Sequence, residues 1–215
     1  MNKPPCGLFL DLDGTLADSL PVMRRVYDQF LNDQGRTGSD EEFAALNGPP
    51  LSEIVRILKN RYRLPESEPL LSNRYWQNIE AAYDAVQPKP GAEIVLKQAT
   101  QRGRVVAVVT SSQNRLAQHW LRKTGLIEWI SLVVGGDQVK RGKPAPDPYL
   151  LALEKSGCKR DGTLVVEDSK TGALSGIQAG LSTFVVHPDP QTINLQEWPA
   201  PCRFVQGLEQ MEVFL

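Results

Sequence analysis

Three clusters of polar residues in this chain have types that could share one piece of chemistry. They are Asp11 and Asp13 in DLDGT, Thr110, Ser111 and Ser112 in TSS, and Glu167, Asp168 and Ser169 in EDS; Lys143 stands apart, in KRGKPAPDP. Carboxylates gathered in one place repel one another and resist ionising together. A divalent cation resolves that conflict. An all-oxygen, strongly acidic ligand set suits Mg2+, which takes a few carboxylates, waters and substrate phosphate. Thr110 can donate its hydroxyl to a phosphoryl oxygen, and Lys143 can offset negative charge there. A carboxylate is also a known nucleophile in phosphoryl transfer, through an aspartyl-phosphate.

Each cluster has a plainer reading when taken alone. DLDGT fits a turn as well as a catalytic loop. TSS fits a helix start, EDS fits a helix cap, and a lone lysine is ordinarily a surface residue. His119 and His187 read as helix-surface and strand-end residues. Neither a GxSxG elbow nor an HExxH pair occurs, so a serine hydrolase or zinc peptidase is unsupported. Cys6, Cys158 and Cys202 are odd in number, widely spaced and without a CxxC pair, which suggests neither a disulfide framework nor a zinc site. A reducing cytoplasm is the expected setting.

The elements that would position these residues favour the joint reading. Five apolar runs are visible: Cys6 to Leu10, Val105 to Val109, Leu132 to Val134, Leu164 to Val166 and Phe184 to Val186. None alternates with polar residues, as is usual for strands buried on both faces of a parallel sheet. Helical patterns separate the later runs: Glu93 to Gln101, Leu116 to Lys123, Pro148 to Lys155 and Thr171 to Ala179. Gly125, Gly157 and Gly180 are their expected C-terminal stops. Strand and helix in alternation predict an α/β fold with a parallel sheet. The clusters follow the first, second and fourth runs, and ligands of such sheets bind beyond the carboxyl ends of the strands.

The stretch from Leu16 to Val105 exceeds what one crossover helix requires. It reads as helices over Pro21 to Leu31, Glu41 to Leu46, Ser52 to Tyr62 with Ser52 as N-cap, and Leu70 to Val86. QPKPG (Gln87 to Gly91) then marks a linker. The expected organisation is a core of residues 1–16 and 87–215 with an inserted helical cap of residues 17–86. Arg56, Lys59, Arg61 and Arg63 charge the cap locally, and a solvated helix face is the preferred reading of them. The tail after His187, rich in proline, reads as irregular, with Val205 to Leu215 packing back on the core.

The 215 residues are 41% hydrophobic and 23% charged, ordinary for one globular domain with a modest insert. A formal net charge of −1 makes nucleic acid a poor partner. No apolar run nears the ~20 residues of a membrane span, and the start lacks the apolar segment of a secretory signal.

Four segments in order resemble the motifs of the haloacid dehalogenase-like hydrolase superfamily: LFLDLDGTLADS (8–19), VVAVVTSSQN (105–114), GDQVKRGKPAPDPYLLAL (136–153) and VVEDSKTGALSGIQAG (165–180). The resemblance implies a Rossmann-like parallel sheet flanked by helices with an inserted all-helical cap. It implies Asp11 as nucleophile and metal ligand, and Asp13 as acid and base whose backbone carbonyl binds the metal. Asp168 would be the further metal ligand, with Glu167 in support. Thr110, the backbone near Ser111, and Lys143 would hold the phosphoryl oxygens. Aspartate at position 13 separates the chain from the family's dehalogenases and phosphonate hydrolases. β-Phosphoglucomutases carry a His near the position of Met23 and an Arg near that of Leu51, and this chain has neither. NGPPLSEIV (47–55) is similar instead to the cap segment of phosphoglycolate phosphatase-like enzymes. The resemblance therefore implies a magnesium-dependent phosphatase acting on a small phosphorylated metabolite, as a monomer or homodimer. A sugar phosphomutase is the alternative.

Overall fold

The computed structural model describes residues 6–46 and 49–215. The expected runs form β1 (Gly7–Leu10), β2 (Val105–Val109), β3 (Leu132–Val134), β4 (Leu164–Glu167) and β5 (Ser182–Val186), and β6 (Cys202–Val205) joins them. All pair in parallel, in the order β3-β2-β1-β4-β5-β6. The crossovers run outward in opposite directions from β1 and β4. The topological switch point therefore falls between these two strands, and their carboxyl ends open on one crevice.

β6 corrects the reading of the tail as irregular. CRFV is an edge strand with Arg203 exposed, flanked by Pro201 and Gly207. A four-residue run with a charge in it carries too little apolar signal to be recognised alone. The segment beyond it does pack back, with Leu208 and Met211 buried in the core.

Successive strand residues face opposite sides of the sheet. Leu8, Leu10, Val106, Val108 and Val166 face one layer, made by α5 (Ala92–Gln101), α6 (Asn114–Lys123) and the C-terminal segment. Phe9, Ala107, Val109 and Val165 face the other, where α7 (Asp147–Ser156) contributes Tyr149, Ala152 and Leu153. α8 (Lys170–Gln178) lies beside α7 against β4 and β5. Gly157 ends α7 in the left-handed region at φ 66°, the conformation the glycine stop anticipated.

Between β1 and α5 lie α1 (Leu20–Asn32), α2 (Asp40–Ala45), α3 (Leu51–Tyr62) and α4 (Glu68–Tyr83). α1 buries Val22, Val26, Tyr27, Phe30 and Leu31, one face of a 3.6-residue period. With Val55, Leu58, Leu71 and Tyr75 they build a core separate from those on the sheet. The N-cap of α3 lies two residues earlier than expected. Pro50, extended at ψ 152°, is its N-cap, and Ser52 lies inside the first turn. Asn47 and Gly48, the start of the NGPPLSEIV segment, lie outside the described residues. The two connections to the sheet run side by side, joined by Asp18 N–H to Gln87 O and Lys89 N–H to Leu16 O, both 2.8 Å.

Candidate active site

Register places the carboxylates. Leu10 pairs with Val166, so the residues just beyond, Asp11 and Glu167, end neighbouring strands at one level. The Asp11 N–H donates to Val166 O at 2.9 Å and holds that level. Ligand oxygens of Asp11, Glu167 and Asp168 lie within 4.8 Å of one another. Gly14 permits this approach: it sits at φ +84°, and a Cβ there would lie 2.0 Å from Asp168 Oδ2.

Lys143 is 3% exposed, which excludes the plainer reading of it as an ordinary surface lysine. The long loop after β3 carries it to the strand ends. Its ammonium donates to Asp11 Oδ1 at 2.5 Å and to Val109 O at 2.9 Å, and lies 2.6 Å from Glu167 Oε1. Burial pushes the Asp11 carboxyl well above the usual carboxylate range. Lys143 pulls against that rise, and Glu167, Asp168 and Asp13 add to it. Burial also disfavours the Lys143 ammonium, but Asp11 and Glu167 outweigh it and hold the group charged above its ordinary range. One ammonium faces three clustered carboxylates. This all-oxygen set with excess negative charge fits a hard divalent cation.

Asp13 points elsewhere. Its Oδ1 accepts from the Tyr83 hydroxyl at 2.8 Å, and its Oδ2 from the Ser112 hydroxyl at 2.9 Å. Its carboxylate therefore stands apart from the cluster of Asp11, Glu167 and Asp168. Tyr83 ends α4, so this bond ties the helical insert to the strand-end loop. On the other side of β1, Thr110 is buried with its N–H on Val134 O at 2.9 Å. Its Oγ1 accepts from the Ser112 N–H at 3.0 Å, which tightens the TSS turn. Ser111 backs onto the loop after β3, where a Cβ on Gly136 would meet its carbonyl oxygen at 2.4 Å. Ser169 caps α8, accepting from the Gly172 N–H at 3.1 Å, as the cap reading of EDS expects.

Tyr83 and Tyr149 escaped the sequence reading. The Tyr149 hydroxyl donates to Glu167 Oε1 at 2.5 Å. Burial pushes both phenols well above their ordinary range, so both remain donors. Their only sequence signal is a hydroxyl at a helix position otherwise reading as core.

Asp11, Asp13, Thr110, Ser111, Lys143 and Asp168 all line one cavity of about 210 Å³ between the strand ends and the helices. The helical wall includes Met23, Phe43, Leu51, Ile54, Trp76 and Ile79. The basic residues of α3 turn away from it. Arg56 pairs with Glu53, Arg61 lies 2.9 Å from the buried Glu42, and Lys59 donates to Leu64 O at 2.7 Å. His119 is exposed and contacts Asp84 at 2.9 Å. Cys6, Cys158 and Cys202 are free thiols. Among the described residues no helix is long and apolar enough to cross a membrane.

Comparison with known proteins agrees with this architecture. A family model for haloacid dehalogenase-like hydrolases matches residues 8–186. Hexitol phosphatase A of Escherichia coli (strain K12) is 31% identical over 194 residues, covering 89% of this chain and 87% of its own. Fructose-1-phosphate phosphatase YqaB of the same organism is 29% identical over 182 residues, covering 84% and 96%. Among solved structures, a putative β-phosphoglucomutase from Thermotoga maritima superposes with a TM-score of 0.75 at 26% identity, over 97% of both chains. With a family match that takes in all of the strand-end clusters and Lys143, the chain belongs to the haloacid dehalogenase-like hydrolases.

Proposed function

We propose that the protein is a magnesium-dependent phosphatase that hydrolyses a small phosphomonoester through an aspartyl-phosphate on Asp11. The observation that carries this reading is Asp11 itself, buried at a strand end, 2.5 Å from Lys143 and clustered with Glu167 and Asp168. Asp11 and Asp168 would hold Mg2+ with the Asp13 backbone carbonyl, and Glu167 supports the cluster. The bound ion supplies charge that offsets the phosphoryl oxygens and keeps Asp11 ionised.

Asp11 attacks phosphorus, and the ester P–O bond breaks. The departing oxygen takes a proton from Asp13, whose carboxyl is oriented by Tyr83 and Ser112. Asp13 then accepts a proton from water as that water attacks phosphorus. Inorganic phosphate leaves and both aspartates are restored. Thr110, the backbone at Ser111, and Lys143 hold the phosphoryl oxygens. Residues 17–86 act as a cap over the core of residues 1–16 and 87–215, excluding water and shaping the leaving-group site. The free cysteines suit a reducing cytoplasm.

Relatives named as sugar phosphatases support hydrolysis, while one solved neighbour is named as a putative mutase. Met23 and Leu51, where the mutase resemblance expects His and Arg, both line the cavity and are apolar, which favours the phosphatase. The test is phosphate release from an aryl phosphate with Mg2+. Asp11→Asn and complete chelation should each abolish it. Undiminished release in the variant refutes the nucleophile, and release under chelation refutes the metal.

A further inference from the structure

The cavity has two chemically unlike ends. Toward the strand ends it is acidic and hydroxylated, with Lys143 as the one cation among the described lining residues. That lysine lies at the phosphoryl end, against Asp11, Val109 and Glu167. Toward the helices the wall is aliphatic and aromatic: Met23, Phe43, Leu51, Ile54, Trp76 and Ile79. Ser19 and Tyr75 supply uncharged polar atoms there, Gln113 another from the loop after β2, and the buried Ser19 hydroxyl has no partner among the described residues.

A second anionic group on a substrate would find no cation at this end among the described residues, and carboxylates or phosphates buried unpaired are strongly disfavoured. A sugar would bring several hydroxyls against a wall with few partners, and each would lose its water without replacement. An apolar body gains from the same wall. Size agrees as well: an apolar cavity of ~150 Å³ holds a benzene ring, so about 210 Å³ leaves space for a six-membered ring beside the phosphoryl group.

We propose that the preferred substrate is a phosphomonoester whose leaving group is an uncharged, largely apolar body of about one ring, and not a polyhydroxylated or carboxylated one. This rests on the phosphatase reading above and sharpens it. Trp76 would be a specificity-determining contact.

The test compares cyclohexylmethyl phosphate with glucose 6-phosphate, both primary esters on a six-membered ring, and with phosphoglycolate, all with Mg2+ present. The ring ester without hydroxyls should exceed both others in kcat/KM by at least about tenfold. Trp76→Ala should raise KM for cyclohexylmethyl phosphate about tenfold and leave KM for methyl phosphate within about twofold. Equal or faster turnover of glucose 6-phosphate or phosphoglycolate overturns the substrate assignment while leaving the phosphatase reading intact. No release from any ester, with an aryl phosphate also inert, overturns both. Should Trp76→Ala not fold, the wild-type comparison decides alone.

Discussion

Replacing Gly14 by alanine separates two costs that the structure predicts differently. The residue sits at φ +84°, where a Cβ costs about 1–2 kcal/mol of backbone strain. For a chain of this size that corresponds to a fall in Tm of roughly 2–8 °C. The second cost is specific to the site. The new Cβ would lie 2.0 Å from Asp168 Oδ2 and 2.7 Å from its Cγ, so the Asp168 carboxylate must move by about 1 Å or more to reach ordinary contact distance. A displacement of that size at a reacting centre costs about 10²-fold in rate. The control is Gly103→Ala. Gly103 also has positive φ, at +74°, but nothing lies within 4 Å of its Cβ position, and it precedes β2 at the end of the sheet away from the site. Thermal denaturation and Mg2+-dependent kcat/KM should be measured on both variants. Both should lose stability, and only Gly14→Ala should lose activity. Gly14→Ala retaining activity within about twofold would refute the close approach of Asp168 or its part in the chemistry.

Lys143→Met leaves Asp11 and Glu167 buried without their ammonium, which should cost about 3–5 kcal/mol of stability by denaturant unfolding and abolish turnover; a loss below about 1 kcal/mol would contradict the buried pair. Tyr83→Phe removes a donor to the Asp13 carboxylate, worth about 1.5–3 kcal/mol for a charged partner. It should lower kcat about tenfold or more with little change in KM, and steady-state kinetics showing the reverse split would place Tyr83 in binding. Glu42→Gln weakens the buried contacts with the Tyr27 and Tyr62 hydroxyls and Arg61, so stability should fall by about 1.5–3 kcal/mol in urea unfolding while kcat stays within a few-fold.

The parts of this architecture that sequence made legible are those decided locally. Val105 to Val109 is a run of apolar residues buried almost throughout, and its pattern identifies a central strand directly. α1 likewise shows its buried face in its spacing. The clusters after β1, β2 and β4 could be placed because a parallel sheet carries all strand ends to one side. Lys143 entered the expected site only through the resemblance of its segment to a family motif, because the loop path that buries it is encoded by no local pattern. Tyr83 and Tyr149 were hidden for a related reason. Each occupies a core-facing helix position where most of the side chain acts as any aromatic would, and only the hydroxyl reaches a carboxylate. β6 and the start of α3 were missed through weak or misleading local signals, a charged four-residue edge and a Pro that displaces Ser52 from the cap.

The central claim is that Asp11 becomes phosphorylated during turnover. Acid quenching of the enzyme while it hydrolyses an aryl phosphate with Mg2+, followed by peptide mass spectrometry, tests it most directly. The account predicts one added phosphoryl group on Asp11, absent from Asp11→Asn and from enzyme without substrate. A phosphoryl group on another residue, or turnover by Asp11→Asn at the wild-type rate, would contradict it.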